Sequence, residues 1–172
     1  MLETDRLTIR PFQEEDAQDL QEILGDRKTM EFSESPYDPE KTSRFLRGFC
    51  IQNNGALAAV HRESGKLIGY LLFHELDPGV FEMGWFFNRQ FWRNGYAFEA
   101  CRALIRDAFV HKKARKIFAE TIDAEKSVPL MQKLGMRPEG IQRSQVRDLH
   151  GNWADLYFFG LLREEWATWS ET

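Results

Sequence analysis

Glu82-Met83-Gly84-Trp85-Phe86-Phe87-Asn88-Arg89-Gln90-Phe91-Trp92-Arg93-Asn94-Gly95-Tyr96-Ala97-Phe98-Glu99-Ala100 runs from a strand, through a short turn, into the start of a helix. The helix is the clearest in the chain. Ala97, Ala100, Cys101, Leu104, Ile105, Ala108 and Phe109 recur at i, i+3, i+4 and i+7, which predicts one buried face over residues 97–109. The first-turn N–H groups of such a helix have no intrahelical acceptor and sit at the positive end of its dipole. Gly95 lets backbone approach a phosphate closely. Any strand–turn–helix offers as much, so this spacing alone points to an anion without naming it.

Working outward, residues 56–61, 66–75 and 80–87 read as a three-stranded meander. Its turns are Glu63-Ser64-Gly65-Lys66 and Asp77-Pro78-Gly79. Near the start, residues 7–12 alternate apolar and polar, and Pro11 marks a strand end or an edge. Ala17, Leu20, Ile23 and Leu24 form a helical stripe. Asp38 followed by Pro39 predicts the N-cap and first position of a second helix, with Phe45, Leu46, Phe49 and Cys50 on its apolar face. Residues 26–37 show no clear period. Beyond the central helix come a strand over 116–122, a helix over about 125–134 capped by Gly135, and strands near 136–146 and 154–162. The order is βααβββαβαββ, an α+β chain of about seven strands and four helices.

With 172 residues, 42% hydrophobic and 13% aromatic, the chain suits a single domain over 1–172 with a real core. No apolar run is long enough to span a bilayer, and the acidic, alternating start is unlike a signal peptide, so a cytoplasmic location is expected. Cys50 and Cys101 lie far apart and belong to no CxxC pair, and the four histidines lack ligand spacing. Buried thiols and no metal site are therefore expected. The net charge of −4, from 23 basic and 27 acidic residues, speaks against nucleic acid. The basic cluster His111-Lys112-Lys113-Ala114-Arg115-Lys116 fits a helix C-terminus, or a contact for an anion near it.

The quoted stretch resembles the acyl-CoA signature of the GNAT N-acetyltransferase family, in particular the branch of ribosomal-protein alanine/serine N-terminal acetyltransferases. The matching residues are Glu82, Gly84, Trp92, Gly95, Tyr96, Ala97, Glu99 and Ala100. A second block resembles the same branch: Ser127-Val128-Pro129-Leu130-Met131-Gln132-Lys133-Leu134-Gly135-Met136-Arg137-Pro138-Glu139-Gly140. Glu3-Thr4-Asp5-Arg6-Leu7, Gly69 and Gly151-Asn152-Trp153-Ala154-Asp155 add weaker matches, so the resemblance covers nearly the whole chain.

The resemblance implies a GNAT-like mixed, splayed sheet and acetyl-CoA as co-substrate, held without metal between the fourth and fifth of the seven expected strands. Backbone around Trp85, Phe86 and Phe87 would bond the pantetheine arm, and a backbone N–H near Phe86 would face the thioester oxygen. The turn of Arg93, Asn94, Gly95, Tyr96, Ala97 and Phe98 would hold the pyrophosphate. Ser127 would sit near the sulfur and relay a proton to it. Glu82 is the first candidate for the base that deprotonates the amine, and Glu120 on the facing strand is the second. The acceptor would be a peptide or protein N-terminus, or a small-molecule amine. As plain residues, Glu82 also fits a solvent-facing strand position and Ser127 a first-turn residue that bonds locally.

Three positions depart from the pattern. Arg93 stands for the first glycine of the pyrophosphate turn, Ala124 for an asparagine, and Met131 for the tyrosine acid of many members. Ala124 and Met131 leave open an alternative, a catalytically weak acyl-CoA-binding sensor. An edge strand bearing Phe158-Phe159 would allow a homodimer as readily as a monomer.

Overall fold

The computed structural model describes residues 1–169. Its strands are β1 (Leu2–Glu3), β2 (Leu7–Pro11), β3 (Ala56–His61), β4 (Leu67–Asp77), β5 (Val80–Phe87), β6 (Lys116–Thr121), β7 (Arg137–Arg147) and β8 (Trp153–Leu162). The helices are α1 (Ala17–Leu24), α2 (Pro39–Phe45), α3 (Tyr96–Val110), α4 (Ser127–Lys133) and α5 (Arg163–Trp169). All eight strands join one sheet in the order β1-β2-β3-β4-β5-β6-β8-β7. The α+β class is as the sequence predicts, with one strand and one helix more. β1 has two residues, too few for alternation to show, and α5 follows β8 with no turn residue between them. A π-helical stretch, Leu46–Gln52, continues α2.

Local chemistry explains the ends of these elements. The Asp38 side chain accepts from Lys41 N at 2.7 Å, which caps α2 as its sequence predicts. Gly135 takes φ +79° just beyond α4, a left-handed geometry that favours glycine at a helix end. Residues 26–37 form no regular element, yet they are tied down. Met30 is buried, Tyr37 N donates to Leu24 O at 2.8 Å, and Gln21 Nε2 donates to Tyr37 O at 2.8 Å.

A core lies on each face of the sheet. On one face α3 sinks its predicted stripe, Ala100 through Phe109, against Leu7, Ile9, Phe81, Met83 and Phe87, with Met131 of α4 alongside. On the other, α1 and the π-helical stretch pack Leu20, Ile23, Leu24 and Leu46 onto Ala56, Ala58 and Tyr70. Cys50 and Cys101 are free and buried, one in each core. Burial pushes the Cys50 thiol up to about 12 and raises the Cys101 thiol further.

Neighbouring strands are antiparallel except at one joint. β5 and β6 run parallel and pair only at Val80↔Lys116, Phe81↔Ile117 and Glu82↔Phe118. Past Glu82 the two strands part, while β4 stays paired with β5 as far as Phe87 and β8 stays paired with β6 as far as Thr121. The result is a V-shaped gap in an otherwise continuous sheet.

One expectation is corrected. Phe158 and Phe159 are not on an edge, because β8 lies between β6 and β7, and β7 forms that edge. The β7–β8 hairpin folds so that Lys116 to Thr121 pair with Leu162 to Tyr157, which seats β8 inside the sheet. No helix among the described residues is long and apolar enough to cross a membrane.

Gly69 shows how closely the sheet approaches the gap. A methyl added there would lie 2.6 and 2.7 Å from two ring carbons of buried Phe87, and 3.0 Å from the Ala59 Cβ. Gly69→Ala is expected to cost about 1–3 kcal/mol in denaturant unfolding, because packed rings on the sheet must shift. At Gly160 the atoms nearest to the added methyl all belong to the flexible Glu139 carboxylate, which pairs with Lys116. Gly160→Ala should cost less than about 1 kcal/mol in the same assay, the scale of an exposed ion pair.

Candidate active site

The gap exposes alternate backbone groups of β5. Asn88 N donates to Ile68 O, and the β4–β5 register is constant from Gly69↔Phe87 to Glu75↔Phe81. In an antiparallel ladder the bonding direction alternates, so even-numbered residues of β5 bond to β4 and odd-numbered residues face β6. Trp85 and Phe87 therefore present their N–H groups to the gap, whereas the amide of Phe86 faces β4. Of the amides around Phe86, those that face the gap are the ones of Trp85 and Phe87. The Phe87 carbonyl is taken by Trp92 Nε1 at 2.7 Å, which fastens the following turn to the end of β5.

That turn continues into α3. Arg93 has φ +61° and Gly95 φ +80°, two left-handed residues around Asn94. Arg93 thus adopts the conformation that favours glycine. The six backbone N–H groups from Arg93 to Phe98 meet no acceptor among the described residues, and the first α3 bond is Glu99 N to Gly95 O at 3.0 Å. The result is a row of donors at a helix N-terminus, beside the gap and open to an anion.

On the α1/α2 face of the sheet, Glu82 and Glu120 flank the point where the strands part. Pairing puts His74, Glu82 and Phe118 on one face, and Glu120, two residues on, shares it. His74 Nε2 donates to Glu82 Oε2 at 3.0 Å. Burial and the nearby Glu82 charge raise the Glu120 pKa above the ordinary glutamate value. On the opposite side, Ser127 Oγ donates to Asp123 Oδ2 at 3.3 Å. Asp123 is buried, and its other oxygen accepts Glu125 N and Lys126 N, both at 3.0 Å. Sequence reasoning missed His74 and Asp123. Neither lies in a recognisable motif, although an Asp four residues before Ser127 has helix-start spacing.

These groups border one cleft of about 1080 Å³, whose lining includes Trp85, Phe86, Phe87, Arg93, Gly95 and Ser127. Glu82 and Glu120, Tyr96 to Phe98, and Met131 also line it, as do Lys28, Thr29, Phe32 and Ser33 of the irregular segment. Asn94 alone of the expected cofactor contacts is not on this wall. Its Nδ2 turns back to Phe91 O and Trp92 O, so only its backbone serves the turn. Ala124 is exposed beside the start of α4, and Met131 brings a buried thioether where a hydroxyl would have been a donor. Lys126 Nζ sits 4.8 Å from the Trp92 ring centroid and 5.3 Å from that of Phe32, and so links the turn to the irregular segment. No group of three or more metal-ligating side chains is present among the described residues.

The family described as Acetyltransferase (GNAT) domain matches residues 6–137, more than half of the chain. The chain belongs to the GNAT family. The uncharacterized N-acetyltransferase YnaD of Bacillus subtilis is 32% identical over 168 residues, covering 95% of this chain and 97% of that protein. The crystal structure of a GNAT-family acetyltransferase from Bacillus anthracis superposes with a TM-score of 0.86 at 27% identity, covering 95% of this chain and 98% of that one. Ribosomal-protein-S5-alanine acetyltransferase from Vibrio fischeri shares the fold with a TM-score of 0.78 at 19% identity, over 96% and 97% of the two chains. This GNAT protein is accordingly an acetyltransferase. The donors of the gap and turn suit acetyl-CoA, because an extended amide-bearing arm needs strand-like partners and a pyrophosphate needs N–H groups.

The raised Glu120 pKa has a consequence for stability. The folded state holds that proton more tightly than the unfolded chain, so stability falls as pH rises from the ordinary glutamate range and stays lower above it. Glu120→Gln removes the penalty. Because Glu120 is itself exposed, solvent screens most of that penalty, and by calorimetry the Tm should rise by no more than about 1 °C at pH 7.5 and not at pH 4.

Proposed function

We propose that this GNAT protein transfers the acetyl group of acetyl-CoA directly to a primary amine within a ternary complex. Acetyl-CoA supplies an activated acyl carbon and a thiolate leaving group. Trp85 and Phe87 hold the pantetheine arm by their outward backbone groups, and residues 93–98 bind the pyrophosphate. An N–H of the Trp85–Phe87 segment stabilises the charge that builds on the carbonyl oxygen, an effect worth roughly 2.7–4 kcal/mol per donor in comparable sites. The observation that carries this reading is the loss of β5–β6 pairing beyond Glu82, directly beside the unpaired amides of the turn.

Glu82 accepts the proton of the attacking amine, directly or through one water, while His74 fixes its carboxylate. Glu120, with its raised pKa, is the second candidate. Ser127 relays a proton to the sulfur: its hydroxyl, which rests on Asp123, turns to the thiolate, and a water replaces the proton it gives up. No acyl-enzyme is needed, since both cysteines are buried and the amine can reach the acyl carbon from the α1/α2 face. The acceptor is a peptide or protein N-terminus, or a small-molecule amine. An α-amino group, with an ordinary pKa of about 7.7–8.0, is partly neutral at pH 7 and asks little of the base, unlike a lysine near 10.4. The chain acts in the cytoplasm as a monomer or homodimer.

A second reading, an acyl-CoA sensor with weak catalysis, is favoured by the apolar Met131 in the cleft wall. Thermal stabilisation by acetyl-CoA, followed by thiol release over a panel of amines, separates the two. At about 100 times its dissociation constant the ligand adds roughly 2.7 kcal/mol, a clear shift in Tm. Stabilisation with thiol release is the expected result. Stabilisation without thiol release supports the sensor, and no stabilisation overturns both. Under saturating acetyl-CoA, Glu82→Gln should lower kcat by about 10²–10⁴-fold with cofactor affinity retained.

A further inference from the structure

We infer that Arg6 is a positioning residue for the cofactor turn, holding Arg93 to Gly95 in the phosphate-binding conformation that a glycine at position 93 would reach unaided. The inference rests on the reading of residues 93–98 as the pyrophosphate site.

Arg6 sits in the sharp turn between β1 and β2, far from the central helix in sequence and against it in space. Its Nη1 donates to Asn94 O at 2.9 Å, and its Nε donates to Glu99 Oε2 at 2.7 Å. Its backbone N–H donates to Glu99 Oε1 at 2.9 Å, and the Thr4 hydroxyl donates to the same oxygen at 2.6 Å. The guanidinium carbon lies 4.3 Å from the centroid of Tyr96, whose hydroxyl is 3.1 Å from His61 Nε2. Arg62 Nη1 donates to Thr4 O at 2.8 Å, which ties this corner to the end of β3. The brace is therefore anchored on the sheet and reaches both residues of α3's entry that matter, Asn94 and Glu99.

Two physical effects follow. A trans peptide carries its C=O and N–H on opposite sides. Tethering the Asn94 carbonyl to Arg6 therefore turns the Gly95 N–H away from the brace and toward the anion position. The tether also opposes the preference of Arg93 for negative φ, which a non-glycine residue at φ +61° must overcome. The second effect is charge. Glu99 lies in the first turn of α3, where an unpaired carboxylate would repel a phosphate. Arg6 and Thr4 satisfy that carboxylate and hold its pKa down, against the desolvation that would raise it. A lysine at position 6 has one ammonium and cannot serve Glu99 and Asn94 along two fixed directions.

The test is a double-mutant cycle on CoA affinity, by titration calorimetry on the full chain, with Arg6→Gln, Arg93→Gly and the two combined. With Arg93 present, Arg6→Gln should weaken CoA about tenfold or more, and in the Arg93→Gly background by less than about threefold, since glycine holds the turn without the tether. Arg6→Lys should fail to restore affinity. At saturating acetyl-CoA, kcat and the KM for the amine should stay within about twofold, a split that general unfolding does not produce. Glu99→Gln, which removes the charge and keeps the size, provides a second probe if Arg6→Gln folds poorly. It should leave the fold intact and weaken CoA less than Arg6→Gln, because the Asn94 tether survives. An equal loss from Arg6→Gln in both backgrounds, or no loss while the unmodified chain binds CoA, overturns the inference. Failure of the unmodified chain to bind CoA overturns the reading of the site instead.

Discussion

β5 and β6 run in the same direction, and two strands so arranged cannot be joined by a hairpin. The chain must leave the end of β5 at Phe87, cross the face of the sheet as α3, and return to the start of β6. Such a crossover places the N-terminus of α3 at the end of β5, where the strands part. Each strand keeps an antiparallel partner on its outer side, so the parting exposes backbone only within the gap. The turn with its unpaired amides and the strand-like groove adjoin because one connection makes both.

Charge is distributed around the gap in keeping with that geometry. Amide donors collect on the side of α3, where a dianion would lie, and two carboxylates face the α1/α2 side, from which an ammonium would approach. Among the described residues no ion pair or hydrogen bond joins the two sets across the gap. Glu82 has His74 beside it, whereas Glu120 is left to the influence of Glu82 and of burial. The donor-rich side is stiffened by Arg6 and Trp92, and the carboxylate side borders the irregular segment that carries Phe32.

Much of this was legible in the chain, because the decisive signals are local. The 3.6-residue stripe of α3 buries Ala100 through Phe109 as its spacing requires, and the Asp38-Pro39 start of α2 needs only its own neighbours. What stayed hidden depends on pairing between distant segments. The position of β8 inside the sheet follows from its register with β6, which alternation in Phe158-Phe159 does not encode. The outward phase of Trp85 and Phe87 is set by β4, one strand away. Glu3-Thr4-Asp5-Arg6-Leu7 and Glu99 were both visible as matches to the family pattern, yet their contact spans more than ninety residues and had no sequence signal of its own. Arg93 departs from a local pattern, and what lets the turn accept it lies in its backbone angle and in a neighbour distant in sequence.

The two cysteines bear on how the enzyme can be watched. Each thiol is enclosed in a different core, and burial keeps both protonated at any pH suited to assay. Disulfide reagents react with thiolates in reach of solvent. A chromogenic disulfide added to the native protein should therefore meet only the sulfhydryl of released CoA. The folded chain contributes almost no background colour, and slow colour without cofactor would report its unfolding.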